Sequence, residues 1–510
     1  MDVVVIGAGL AGLSAACHVA GQGHNVRVLE RELVPGGRAG VIRQNGYSID
    51  TGPTVLTMPE LIRETFAAAG ADMDDFVRLL PVDPMYRATF VDESHRPDGE
   101  IHVRTGREAM TEEIRRVCGA HDAQSFGRFA DWLGELYRIE MPNFIDRNFN
   151  SPIDLARPIS AGIDLLRHGG FRRLNNVVSE YFTDPRLQKL FSFQSMYAGL
   201  SPFDALAVYG VITYMDTVQG VYFPEGGMHA LSQGLADAAT KAGASFDYGV
   251  TVSRIVRERG SGGRVIGVKT SDGEFISCDL VIANPDVPVV YRTLLPETSM
   301  PRVARRGEYS PSCALWLVGV DGQAPASAAH HNIHFGADWK GAFDALLKRG
   351  ARMPDPSILV TVQNHTDPTR APDGKSILYI LEPTPNLDGN INWTQEREAF
   401  RESLRDRVAS YGYPISVEQV EVERFIDPTD WESQGMERGT PFGLSHRFFQ
   451  TGPFRPNNVD RRVPGMVLTG SSTLPGVGVP MVLLSGKLAA QRVTAFQLGG
   501  APRSRKSNVR

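Results

Sequence analysis

Asp2-Val3-Val4-Val5-Ile6-Gly7-Ala8-Gly9-Leu10-Ala11-Gly12 is an apolar run that breaks at a glycine turn and continues as an Ala-rich stretch. The run reads as a buried strand, and the Ala-rich stretch as a helix. A second strand, Val26-Arg27-Val28-Leu29, ends in Glu30, 18 positions beyond Gly12. Strand, glycine turn, helix, strand and terminal acid together predict a nucleotide cradle. Gly7 permits the tight turn, Gly9 lets the backbone approach a pyrophosphate, and Gly12 lets helix and strand pack closely. Leu10 and Ala11 begin the helix, whose free N–H groups and positive dipole end suit a diphosphate. Glu30 stands where a carboxylate can accept hydrogen bonds from ribose hydroxyls.

The chain around this unit has 510 residues, enough for two or three domains. Its formal net charge is −5, with 53 basic against 58 acidic side chains, so bulk attraction to nucleic acid is not expected. Basic residues cluster at Arg167-His168-Gly169-Gly170-Phe171-Arg172-Arg173 and in the tail Arg503, Arg505, Lys506 and Arg510. The four cysteines, Cys17, Cys118, Cys278 and Cys313, lack metal or disulfide spacing, which points to a reducing compartment. His330, His331 and His334 lie close together without acidic ligand partners, so no metal site is expected. No secretory leader is visible, and the expected location is the cytoplasm. The most apolar stretch, Ala205 to Tyr222, is interrupted by Asp216 and Gln219, so no segment is expected to span a bilayer.

Residues 110–220 read as mostly helical, with Phe126, Phe129, Trp132, Leu133, Leu136 and Tyr137 at helical spacing. A helix is predicted over Met228 to Lys241, and Asp272-Gly273 marks a hairpin turn between Val265–Thr270 and Phe275–Ile276. Further strands are predicted at 279–284, 313–320, 358–363, 377–382, 420–426 and 466–468, with helices at 393–411 and 481–496. The expected class is α/β: a discontinuous Rossmann-like nucleotide-binding domain, an inserted α+β substrate domain and a helical membrane-associating region. The nucleotide-binding parts would be 1–75, 221–295 and 441–498. The helical region would be 76–220, the substrate sheet 296–440, and 499–510 a disordered basic tail.

After Glu30 comes Gly36-Gly37-Arg38, then Asp50-Thr51-Gly52-Pro53. Flexible glycines with one arginine suit a loop wrapped around a long dinucleotide, where Arg38 can meet phosphate oxygens. This loop resembles the corresponding extension in the flavin-containing amine oxidase and phytoene desaturase superfamily. Gly470-Ser471-Ser472-Thr473-Leu474-Pro475-Gly476-Val477-Gly478-Val479-Pro480 resembles the C-terminal signature of bacterial-type phytoene desaturases. Tyr222–Met228 and Phe454-Arg455-Pro456-Asn457 resemble two further stretches of that family. The likeness runs from Val3 to about Val493 and departs at Leu474, where the family has histidine.

The resemblance implies one FAD. Gly7 to Gly12, Glu30 and the Gly36–Arg38 loop would hold it, with Gly52 and Pro53 beside them. Val252 would contact the adenine, and Gly470, Ser471, Gly478, Val479 and Pro480 would form a second clamp. It also implies desaturation of an acyclic polyisoprenoid such as phytoene, with hydride passing to flavin N5 and electrons onward to oxygen or a quinone. An isomerase, ketolase or saturase on the same fold, or a flavin-less prenyl-binding carrier, is the alternative. For proton removal the candidates are Asp146 and Arg147, a charged pair in an aromatic stretch. Leu155, Ile159, Ile163 and Leu166 make one helical stripe followed by the Arg167–Arg173 cluster, the pattern either of a monotopic membrane helix or of a core-facing one.

Overall fold

Five parallel strands form the first sheet, in the order Met466–Leu468, Leu280–Ala283, Asp2–Ile6, Asn25–Glu30 and Ser245–Tyr248. This computed structural model describes residues 1–258, 260 and 262–497, so the tail expected over 499–510 lies outside the described residues. Val3 to Val5 are buried because helices cover one face of the sheet and a smaller sheet packs on the other. On the helical face, Leu10–Gly21 lies between Met228–Lys241 and Val479–Gln497. Ser14 donates to the carbonyl of Leu483 at 2.7 Å, fixing the first helix to the last. The antiparallel strands Val252–Arg257, Val265–Thr270 and Phe275–Ser277 pack on the opposite face.

The largest sheet has seven strands, with Val420–Ile426 at one edge and Ser312–Val320 beside it. Ser376–Thr384, Ile358–Val362 and His331–His334 follow, and Tyr86–Val91 and Pro97–Val103 complete it. Only the pairing of His331–His334 with Tyr86–Val91 is parallel. Every residue of Ser312–Val320 is buried, and its alternate side chains enter different cores. Trp316 and Val318 pack against helix Trp393–Ser410 through Phe400 and Leu404, while Leu315 and Leu317 meet Tyr47 and Ile49.

Residues 76–220 differ from the helical expectation at their start. Tyr86–Val91 and Pro97–Val103 form a hairpin of the seven-stranded sheet, with Tyr86, Ala88 and Phe90 buried in alternation. Asp92 shapes its turn by accepting from the N–H groups of Ser94 and Arg96. The rest is helical as expected. Phe126, Phe129, Leu133 and Leu136 are buried in Ala120–Glu140, and Phe126 stacks on Phe191.

A buried ion pair joins the end of the small hairpin strand Tyr47–Asp50 to the short turn Pro368–Arg370. Arg370 Nη2 lies 3.1 Å from Asp50 Oδ1, and both side chains are fully buried. Asp50 also accepts from Met228 N at 3.0 Å, capping the helix that starts there. Arg370→Met strands a carboxylate in the interior, an expected loss of about 3–5 kcal/mol. Chemical denaturation should show it as a lower midpoint.

Candidate active site

The site grows from the turn between strand Asp2–Ile6 and helix Leu10–Gly21. A Cβ on Gly12 would sit 2.1 Å from the carbonyl oxygen of Gly7, and one on Gly9 would sit 2.7 Å from Asn284 Oδ1. The turn is therefore closed to larger residues. No side chain caps the helix and no acid occupies its first turn, so its N–H groups remain open to an anion. Glu30 is buried at the second strand's end and accepts from Ala8 N at 2.5 Å and Glu32 N at 2.9 Å. It thus ties down the glycine turn, and a carboxylate retains lone pairs beyond these two bonds.

The second loop docks on the first. Gly36 N donates to Ala8 O at 2.8 Å. Arg38, expected to meet phosphate, lines the cavity, and its guanidinium spans Asp286 Oδ2 at 2.6 Å and Ser471 Oγ at 2.8 Å. Both partners are short side chains at strand ends, and the fork joins three distant segments. The C-terminal loop is held from behind by Arg455, whose buried guanidinium donates to the carbonyls of Ser471, Thr473 and Leu444. Burial without a carboxylate pulls its pKa down to about 10. This gives the Phe-Arg-Pro stretch a physical role. The last helix starts at Val479, two residues before the expected position.

These loops open onto one cavity of about 1400 Å³. That exceeds the ~300–1,000 Å³ of an ordinary small-molecule pocket. Every residue assigned from sequence to the nucleotide lines it except Gly12, which sits behind Gly7. Val252 lies on its wall beside Val250 and Thr251. Away from the glycine loops the wall becomes apolar, with Val211, Ile212, Met215, Phe335, Trp339 and Leu474. It continues past Phe144, Phe149 and Leu165 to Phe171 and Phe448, both partly exposed.

The proton-transfer candidates separate. Arg147 is on the cavity wall and donates to the carbonyls of Asn143 and Arg157. Asp146 is not among the wall residues; Lys487 Nζ holds its Oδ2 at 2.7 Å and also pairs with Glu64 at 2.7 Å. Two other carboxyls do face the apolar part, Glu140 and Asp216. Burial alone raises the pKa of Glu140 well above the usual carboxylate range, and its Oε1 has no hydrogen-bond partner. Burial pushes Asp216 up to about 7, against hydrogen bonds from Thr217 and Gln194. Asp216 had a signal in the sequence, as the lone acid in the apolar run 205–222.

The helix Ile159–Arg167 turns Ala161 and Leu165 inward and leaves Ile159, Ile163 and Leu166 exposed. The stripe is therefore not core-facing. With exposed Ile153, Phe171, Phe448 and Phe449 it makes an apolar patch, and Phe171 and Phe448 contact each other at the cavity wall.

The family of flavin-containing amine oxidoreductases matches residues 10–494. The chain belongs to that family. It is an FAD-dependent oxidoreductase, and the open helix end, the crowded glycines and the large cavity fit that cofactor. Among curated relatives of this flavin oxidoreductase, a phytoene dehydrogenase of Streptomyces griseus is 47% identical over 505 residues, covering 98% of this chain and 97% of its own. A zeta-carotene-forming phytoene desaturase of Myxococcus xanthus is 37% identical, covering 97% and 94%. Among solved structures, a putrescine oxidase variant from a redesign of cofactor binding superposes with a TM-score of 0.60 at 15% identity, over 98% of this chain and 99% of that one.

Proposed function

We propose that this flavin oxidoreductase is a carotenoid desaturase that introduces double bonds into phytoene or a related acyclic precursor. The observation that carries this reading is a single cavity joining the glycine-rich loops to a long apolar arm. The relatives named for phytoene and zeta-carotene support it.

In this reading Gly7, Gly9 and the start of the first helix would hold the FAD pyrophosphate, Glu30 the ribose and Val252 the adenine. Gly36, Gly37 and Arg38, with Gly52 and Pro53, enclose the middle, and Gly470, Ser471 and Gly478 to Pro480 close the far side. Bound there, FAD supplies a hydride acceptor. The chain's residues do the rest. Apolar side chains align the hydrocarbon and exclude water, and Leu474 gives it an apolar surface where the resembling family has histidine.

In the same reading residues 296–440, joined by the hairpin strands Tyr86–Val91 and Pro97–Val103, form the sheet part of a substrate domain inserted into the flavin-binding parts 1–75, 221–295 and 441–498. The helical region within 76–220 meets the membrane. No described helix is long and apolar enough to cross a bilayer. The exposed patch on Ile159–Arg167 and the Phe448–Phe449 corner would dip into one leaflet, placing the cavity mouth where a polyisoprenoid resides. Electrons leave to oxygen or a membrane quinone.

The test supplies phytoene in liposomes with added FAD and resolves the pigments. Products absorbing at longer wavelength, with flavin reduction matching the double bonds formed, are expected. An unchanged oxidation level would overturn desaturation.

A further inference from the structure

Desaturation, on the reading above, removes hydride from one carbon and a proton from its neighbour, so a proton acceptor must face the hydrocarbon. Five carboxyls line the cavity: Glu30, Glu32, Asp286, Glu140 and Asp216. Glu30 and Glu32 stand at the nucleotide loops, and Asp286 is paired with Arg38. Glu140 and Asp216 remain.

They differ in what stabilises their charge. Glu140 Oε1 receives no hydrogen bond, and nothing opposes its desolvation, so it stays protonated and cannot take a proton. Asp216 is just as buried, but Thr217 Oγ1 donates to it at 2.9 Å and Gln194 Nε2 at 3.4 Å. Among the described residues no cation acts on it, so no salt bridge quenches its basicity. The phenols of Tyr86 and Tyr197 act on it from neighbouring elements; both are neutral at working pH, Tyr86 because it is buried. Asp216 sits in a π-helical turn, Tyr214–Val218, whose extra residue lets the chain present Met215 and Asp216 together to the cavity.

We propose that Asp216 is the catalytic base of the desaturation. The C–H bond on the first carbon breaks with its electron pair leaving as hydride to FAD. The C–H bond on the neighbouring carbon then gives its proton to an Asp216 oxygen, and that bond's electron pair becomes the new π bond. Asp216 returns the proton to water before the next turnover. A base matched to neutral pH in a dry apolar cavity is the arrangement such a step requires.

Asp216→Asn keeps the shape, can still accept from Thr217 Oγ1 and can donate to the unpartnered Gln194 Oε1 once that amide flips, and so tests this directly. It is expected to bind FAD stoichiometrically and to lose at least about 100-fold in kcat. Asp216→Glu should recover part of the rate. The wild-type rate should rise through about pH 7, the carboxylate being the active form, while the Asn variant stays flat. Infrared titration of the resting holoprotein gives a readout independent of turnover: a protonated-carboxyl band that disappears near neutral pH in wild type and is absent from Asp216→Asn. An Asn variant as fast as an active wild type, or one that keeps the titrating band, overturns the assignment of Asp216 alone. A wild type inert toward phytoene overturns the desaturase reading itself.

Discussion

If the proposed membrane contact holds, replacing Ile159, Ile163, Leu166, Phe171 and Phe449 together by serine should abolish the binding to anionic liposomes expected of the wild type. All five are exposed, from 42% at Ile163 to 74% at Phe449, so their loss leaves the fold almost untouched. Transfer of one such side chain out of water gains about 1.5–3 kcal/mol when complete. Even at half of that, five residues are worth roughly 4–7 kcal/mol, or a factor of about a thousand or more in partitioning. The basic residues nearby contribute less than their number suggests. Arg172 is paired with Glu180, and Arg173 donates to the carbonyl of Asp204. Arg167 is the freest, with Asp164 at 3.8 Å as its nearest acid. Raising the salt concentration should therefore weaken binding only modestly, at about 1 kcal/mol per cation engaged. Flotation of vesicles with the five-serine variant reads the outcome. If it floats like wild type, the patch is not the anchor.

The second large effect is expected at Gly12. Gly12→Ala places a methyl 2.1 Å from the backbone oxygen of Gly7, and backbone cannot rotate away. The helix start must shift by about an ångström, turning its N–H groups off the pyrophosphate, for a loss in FAD affinity of at least about 100-fold. The purified variant should be colourless after gel filtration and melt earlier, since bound cofactor no longer stabilises it. Gly9→Ala is a useful contrast. There the obstacle is a side chain, Asn284 Oδ1 at 2.7 Å, so Asn284→Ala in the same chain should restore part of the binding. A yellow Gly12→Ala protein with wild-type affinity would contradict the role of the turn.

The first two strands of the parallel sheet were legible because their signals are local: an apolar strand, a glycine turn and a terminal acid within thirty residues. The strands at 265–270, 280–283, 312–320 and 420–426 were legible too, since buried or alternating apolar runs flanked by Asp, Gly or Pro leave few alternatives. The hairpin Tyr86–Val103 escaped notice because Arg87 and Thr89 face partly outward, and its partner strand lies more than 240 positions away. Arg38 shows the same limit. Its place in a glycine loop pointed to a phosphate, but the Asp286 and Ser471 that also engage it come from distant segments no local pattern connects. Asp146 and Arg147 stood out as charges in an aromatic stretch, yet the nearest cation to Asp146 is Lys487, on the last helix. Asp216 was visible as an interruption, but only burial and the cavity distinguish such an acid from a surface one.

Strand Asp2–Ile6 is flanked by Asn25–Glu30 and by Leu280–Ala283, and the sheet is completed only by Met466–Leu468. During synthesis the earliest segment gains one neighbour at once but waits for more than half of the polypeptide for the other, and for almost all of it before the sheet is complete. Until then the alanine-faced first helix lacks the late helix that covers it, and sticky surface stays open to other chains. Recombinant yield should therefore depend on slow growth temperature and chaperone supply more than on the finished molecule's own stability.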